Sequence, residues 1–209
     1  WLEGVKPQVR ELEQGDIYPE EIVKQMKELG LFSLMYPVEY GGLGMNASSY
    51  AKVITKLSET WMSLAGIINT HMMLGQLIGR FGTDSQKEQF MYKLAAAELH
   101  GVLCLTEPDA GTDLQGIKTH AKAHGDHYTL NGSKMWITNG LHGSLYAVLT
   151  KTDLNASPAH KGMTMFLAQR GEGFNVDGKI GLAGLLSKTI LFGISYYSIT
   201  KLTTHLSQI

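Results

Sequence analysis

The segment Leu103-Cys104-Leu105-Thr106-Glu107-Pro108-Asp109-Ala110-Gly111-Thr112-Asp113 reads as a strand that runs into a turn. The exposed backbone N–H groups of Gly111, Thr112 and Asp113, together with the hydroxyls of the turn, suit an anionic pyrophosphate. A second segment, Asn131-Gly132-Ser133-Lys134-Met135-Trp136-Ile137-Thr138-Asn139-Gly140, puts Trp136 and Thr138 on one strand face two residues apart. An indole and a hydroxyl so placed can stack on a flat heteroaromatic ring and hydrogen-bond its edge. Each segment also has a plainer reading. A Trp in a hairpin packs in a core, and Thr-Glu-Pro makes a turn.

Other familiar patterns fail on chemistry. Gly173 and Gly178-Lys179 have phosphate-loop spacing, but Ile180 stands where a Mg²⁺-binding Ser or Thr is required. No G-x-G-x-x-G follows a strand and no G-x-S-x-G elbow occurs, so neither a Rossmann site nor a hydrolase serine is supported. His120, His124 and His127 cluster, with His120 and His124 on one strand face, and are read as a polar, solvated face; no metal site is expected. With 18 Lys+Arg against 19 Asp+Glu, the formal charge of -1 offers no basic field for nucleic acid. Cys104 is the one cysteine, which precludes an internal disulfide and suits a reducing compartment. Between Trp61 and Phe81 the apolar run is broken by Ser63, Asn69, Thr70, His71, Gln76 and Arg80, so it predicts a buried helix and no integral membrane segment.

The elements that must position these segments fall into two textures. From Val5 to about His100 the pattern is helical. Pro19 with Glu20 and Glu21 predicts a helix start, Gly30 a stop after Leu29, and the glycines of Pro37 to Gly44 a loop with unusual backbone angles. Helices resume at about Ala47, and Thr83 with Gln86 reads as a capping box behind Gly82. After His100 the period shortens to two. Short strands are predicted at Gly101 to Thr106, Ile117 to His124, Ser144 to Lys151 and Gly162 to Arg170, with a hairpin turning at Asn131-Gly132. The expected class is α+β, an N-terminal all-α helical domain followed by a small antiparallel β-barrel or sandwich domain, because no helices intervene to make parallel crossovers. The expected boundaries are 1–100, 101–184 for the β domain, and an atypical, unassigned tail at 185–209 that is rich in Ser, Thr, Ile, Leu and Tyr without a clear period.

Taken together and in this order, the two segments resemble the acyl-CoA dehydrogenase family, which carries a T-E-P-x-A-G-[ST]-D turn and a [WFY]-I-T-N-G strand in its middle domain. Pro37 to Gly44 is similar to the family's P-x-E-Y-G-G-x-G run, and the strand Gly162-Met163-Thr164-Met165-Phe166-Leu167 with Gly171 to Phe174 is also similar. The likeness covers about Val5 to Ile180. It implies FAD as cofactor, lined by Leu103 to Thr112: the backbone of Leu105 and the Thr106 hydroxyl at the ring edge, with Gly111 and Thr112 near the pyrophosphate. Cys104 lies within that stretch with its side chain expected in the core. Trp136, Ile137 and Thr138 would form the other wall, with Thr138 placed to donate near N5. Thr112 and Thr152 would touch the acyl-CoA substrate.

The implied reaction is α,β-dehydrogenation of the thioester, with electrons passing to an electron-transfer flavoprotein and homo-oligomers at full length. The family's glutamate base comes from a C-terminal helical domain that this sequence is expected to lack. Glu107 is read as a loop-fixing residue, Glu39 and Glu172 have weaker claims, and no catalytic base is named. The chain opens at Trp1, so its natural start is expected to be missing, and location is left between bacterial cytoplasm and mitochondrial matrix. The tail departs from the family's acidic-x-V-x-V-P continuation, as a divergent, truncated or frame-shifted end would. The expectation is a fragment of an FAD-dependent acyl-CoA dehydrogenase, inactive alone; the alternatives are a non-catalytic remnant or interaction module, or a related acyl-CoA oxidase or flavin monooxygenase.

Overall fold

A computed structural model of the chain describes residues 1–170, 174–179, 187–192, 196–197 and 200–202. Five helices come first: α1 (Leu2–Gln14), α2 (Glu20–Glu28), α3 (Ala47–Thr60), α4 (Met62–Phe81) and α5 (Asp84–Ala95). Their ends follow local chemistry. Glu20 and Glu21 occupy the first turn of α2, where acidic side chains meet the positive helix end. At its other end Gly30 turns left-handed at φ 72°, and the Leu31 N–H closes on Met26 O at 3.0 Å. The Asn46 side chain caps α3 by accepting the Ser49 N–H at 2.9 Å. Thr83 and Gln86 form a capping box at the start of α5. No helix among the described residues is long and apolar enough to cross a membrane.

Among the described residues nine strands follow: β1 (Gly101–Cys104), β2 (His120–His124), β3 (His127–Thr138), β4 (Leu145–Lys151), β5 (Met163–Gln169), β6 (Phe174–Lys179), β7 (Ser187–Phe192), β8 (Tyr196–Tyr197) and β9 (Thr200–Leu202). They make one sheet in the order β6-β7-β3-β2-β4-β5-β9, with β1 on β4 and β8 on β3. The α+β class stands, with two departures in detail. The sheet is mixed, because β1 pairs with β4 in parallel, Gly101 opposite Leu145 through Cys104 opposite Val148. The intervening chain contains the β2–β3 hairpin and is long enough to return without a helix. Among the described residues, β6 and β9 end the path unpaired with each other, so the sheet stays open.

The hairpin does not turn at Asn131-Gly132. It turns at Gly125-Asp126, between the paired His124 and His127, where Gly125 takes φ 66° without steric cost. β3 runs straight through Asn131-Gly132. There Gly132, at φ 155°, leaves open the volume that the Thr119 side chain occupies. The expected tail is in part sheet, since β7 pairs with β3 and β6. The remainder of that expectation, at 185–186, 193–195, 198–199 and 203–209, lies outside the described residues.

β4 and β5 carry apolar residues on both faces, and the period of two sends each set to a different core. Leu145, Ala147, Leu149, Met163, Met165 and Leu167 join the helices. Tyr146, Val148, Phe166 and Ala168 join Val102, Cys104, Leu130 and Ile137 on the opposite side. Helix α4 packs on β1 between the halves, and Gly101 permits it: a Cβ there would lie 2.9 Å from the Leu74 Cβ. The same approach lets Gly101 N–H donate to His71 Nδ1 at 3.0 Å. That bond fixes the tautomer. The His71 proton sits on Nε2, which lies 3.1 Å from both Phe32 O and Leu94 O.

Burial pulls His71 down to about 3 and His100 down to about 4, against an ordinary 6.5. Both are therefore neutral when folded and take up a proton only on unfolding. Below about pH 6.5 the unfolded chain binds more protons, so stability falls with pH by about 1.4 kcal/mol per unit for each histidine until their folded values are reached. Urea unfolding should show a midpoint that drops steadily from about pH 7 to about pH 5. A flat midpoint over that range would contradict the assignment.

Candidate functional site

β1 delivers the chain through Leu105 and Thr106 into the tight turn Glu107-Pro108-Asp109-Ala110. Glu107 N–H donates to Ala110 O at 2.8 Å and Ala110 N–H to Glu107 O at 3.2 Å. Pro108 stands where a turn wants φ near -65°. Strand β3 lies alongside, with Met135 N–H donating to Thr106 O at 2.9 Å. Lys134, fully buried, donates from Nζ to Leu105 O at 2.9 Å and to Glu107 Oε1 at 2.8 Å. The buried Glu107 carboxylate also accepts Lys118 N–H at 2.6 Å and Thr119 N–H at 3.1 Å. Burial alone would raise Glu107, but the Lys134 ammonium and these N–H donors outweigh it and hold the carboxyl below its ordinary range. Burial draws Lys134 downward in spite of its carboxylate partner.

Beyond Lys134 the strand bulges. Lys134 pairs with Ile190 and Ile137 with Lys188, so β3 spends one residue more than β7 over this stretch. Trp136 sits in the bulge at φ 60°, left-handed for a bulky aromatic residue, and the residue is 42% exposed. Ile137 returns to the core at 2% exposure. The structure thus brings the two segments together along one seam, Leu105 to Glu107 against Lys134 and Met135.

The residues predicted for the site take different positions on it. Leu103 and Leu105 are half-buried against the helix-side core, while Cys104 is fully enclosed on the other face, where burial pushes its thiol up to about 12. Cys104 and Ile137 therefore face any ligand through main-chain atoms alone. Thr106 and Thr138 are half-buried; Gly111 and Thr112 are exposed. Among the described residues, the hydroxyls of Thr106, Thr112 and Thr138 have no hydrogen-bond partner. The Thr152 hydroxyl is already engaged, donating to Gly162 O at 3.1 Å and lying 2.9 Å from Thr164 Oγ1.

No acid of the turn stands free. Glu107 holds Lys134, Asp109 Oδ2 meets Lys118 Nζ at 2.6 Å, and Asp113 Oδ1 accepts the Gln115 N–H at 3.0 Å. Two residues that organise this seam escape a motif-by-motif reading. Counting by twos from the apolar Leu130 places Lys134 on an inward face, and a lysine there demands a carboxylate. Asn139 is the other: fully buried at φ 62°, it donates from Nδ2 to Ile67 O of α4 at 2.9 Å.

A family model of the acyl-CoA dehydrogenase N-terminal domain matches residues 2–98, and one of the middle domain matches residues 102–192. The chain belongs to the acyl-CoA dehydrogenase family. It is 34% identical over 188 residues to the mitochondrial isovaleryl-CoA dehydrogenase of Pongo abelii, covering 88% of this chain and 44% of that protein. It resembles the crystal structure of acyl-CoA dehydrogenase from Geobacillus kaustophilus with a TM-score of 0.86 at 31% identity, covering 95% of this chain and 54% of that one. Glutaryl-CoA dehydrogenase from Mycobacterium smegmatis in complex with FADH2 gives a TM-score of 0.84 at 28% identity, covering 97% and 53%. The chain thus spans about half the length of these acyl-CoA dehydrogenases.

Within the Thr138-Asn139-Gly140 run, Asn139 fastens the strand end to α4, and its backbone O accepts the His142 and Gly143 N–H groups at 3.1 and 2.7 Å. Asn tolerates a left-handed backbone that Ala does not. Asn139→Ala should cost about 3 kcal/mol through the lost bond and the strained backbone, and Asn139→Gly about 1 kcal/mol less. Chemical denaturation checks the order; equal losses would remove the backbone part of the argument.

Proposed function

We propose that this chain forms the flavin-binding part of an FAD-dependent acyl-CoA dehydrogenase, built from a helical unit over 1–100 and a β unit over 101–184. The observation that supports it is an exposed indole at Trp136 on the strand that runs along Leu105 to Glu107, together with hydroxyls at Thr106, Thr112 and Thr138 that have no hydrogen-bond partner among the described residues. That set fits FAD. A flat ring finds a stacking face and hydroxyl donors, and the exposed N–H groups of Gly111, Thr112 and Asp113 suit its pyrophosphate.

When bound, FAD supplies the two-electron acceptor for dehydrogenation of an acyl-CoA. Thr138 and Thr106 would hold hydroxyl donors toward the ring, where negative charge develops on reduction. Leu103, Cys104, Leu105 and Ile137 would line the cofactor through backbone or apolar contact. Thr112 would also meet the acyl-CoA, and Thr152, its proton committed to Gly162, offers that substrate only acceptor capacity.

A proton must also leave the α carbon, and this requires a carboxylate close by in a dry pocket. The turn acids are committed to Lys134, Lys118 and the Gln115 N–H. In this reading the base comes from outside the described residues, the 209-residue chain alone does not turn over, and electron-transfer flavoprotein and homo-oligomerisation belong to the longer protein.

After incubation with FAD and desalting, the chain should retain yellow flavin absorbance, and Trp136→Ala should weaken retention about tenfold. Assayed with a series of acyl-CoAs and an artificial electron acceptor, it should show no turnover. The reading is lost when the chain emerges colourless under conditions where a longer family member keeps its flavin.

A further inference from the structure

The position of Trp136 needs a cause beyond its own preference. A bulky aromatic residue avoids positive φ, so its φ of 60° has to be imposed by anchors on both sides. Downstream, Ile137 is locked in the far-side core and Asn139 is tied to Ile67 O of α4. Upstream, the anchor is polar. Lys134 Nζ bridges Leu105 O and Glu107 Oε1, and Met135 N–H reaches Thr106 O. Regular alternation from Leu130 would turn residue 136 inward; instead Lys134 and Ile137 are both buried, with Trp136 thrown outward between them. A slip that removed the bulge would drag the Lys134 ammonium off a carboxylate that is itself held by the Lys118 and Thr119 N–H groups.

We propose that Glu107 and Lys134 are positioning residues: their buried ion pair fixes the register at which Trp136 projects from the sheet, and so sets the ring-stacking face of the site. The part concerning the flavin rests on the reading given under Proposed function. Neither residue exchanges protons with a substrate in this scheme.

The test uses the 209-residue chain with Trp1→Phe and Trp61→Phe, which leaves Trp136 as its single indole. Lys134→Met removes the ammonium and keeps the length of the stem. The double variant Glu107→Gln with Lys134→Met removes both charges, so that no unpaired buried ion remains to prevent folding. Emission of Trp136 and its quenching by iodide are read without FAD, well below the melting temperature. Both variants should shift emission to shorter wavelength and reduce iodide quenching roughly twofold as the indole loses its outward position. Ile22→Val, which trims the helical core on α2 without touching the pair or the residues that anchor Trp136, should lower the Tm and leave quenching as in the parent.

A lower Tm with unchanged emission and quenching in both pair variants would overturn the proposal. So would an equal change in Ile22→Val, since any loss of stability would then suffice. Titration with FAD follows as a separate arm, in which the variants should bind roughly tenfold more weakly than the parent. Failure of the parent to bind FAD would sink the functional reading and leave the indole result to decide the positioning role.

Discussion

The buried ion pair between Lys134 and Glu107 is the constraint on which the site geometry rests. An ammonium removed from water is costly, and one hydrogen-bonded carboxylate with a backbone carbonyl is what makes the burial tolerable. The Glu107 carboxylate also collects two backbone N–H groups from the chain leaving the turn. Four parts of the chain meet in it: the end of β1, the 107–110 turn, the approach to β2 and the middle of β3. Removing one partner of such a pair commonly costs about 3–5 kcal/mol because the other is left charged and alone. The pair therefore acts less as a source of stability than as a restriction on which registers are possible.

The helical half supports this seam through α4. Its carbonyl at Ile67 receives the Asn139 amide, and one turn later His71 accepts the Gly101 N–H. One helix thus holds the first residue of β1 and the residue just past β3, the two strands that form the site. Gly101 is what allows the approach, since a side chain there would press on Leu74. Polar groups buried at this contact are satisfied only in one relative placement of helix and sheet, which makes the contact directional in a way that apolar packing is not.

Much of this was legible in the sequence where local chemistry decides the outcome. Gly30 and the Thr83 to Gln86 box mark helix ends because each satisfies a terminal backbone group within a few residues. The apolar strands at β4 and β5 are equally plain. The hairpin was misplaced for an opposite reason: Asn131-Gly132 is a strong local turn signal, but the side chain of Thr119 needs the space a glycine leaves, and Gly125-Asp126 supplies the turn instead. The parallel β1–β4 pairing depends on a long return path that no local pattern encodes. Of the candidate site, the spacing of two puts Trp136 and Thr138 on one face of a regular strand, whereas the bulge at Trp136 depends on Lys134 finding Glu107 at a distance of 27 residues.

The charges of the turn bear on what it can hold. Three acids lie within seven residues, an arrangement that would repel a pyrophosphate if all were free. Lys134 neutralises Glu107 in the interior, and Lys118 stands against Asp109 at the surface, where solvent screens the pair. Asp113 spends one carboxylate oxygen capping the short 3₁₀ turn at Leu114–Gly116. What the turn then presents at Gly111 and Thr112 is mainly dipolar, N–H groups and a hydroxyl, with the hydrogen-bonded Asp113 carboxylate as the one charge of the turn not met by a lysine among the described residues. A site of that kind can accept an anion and a neutral ring side by side, while the surrounding lysines stay committed to the fold. Pairing with Lys134 and Lys118 thus does two things at once: it lowers the negative charge of the turn, and it takes the Glu107 and Asp109 carboxylates out of the set of free bases.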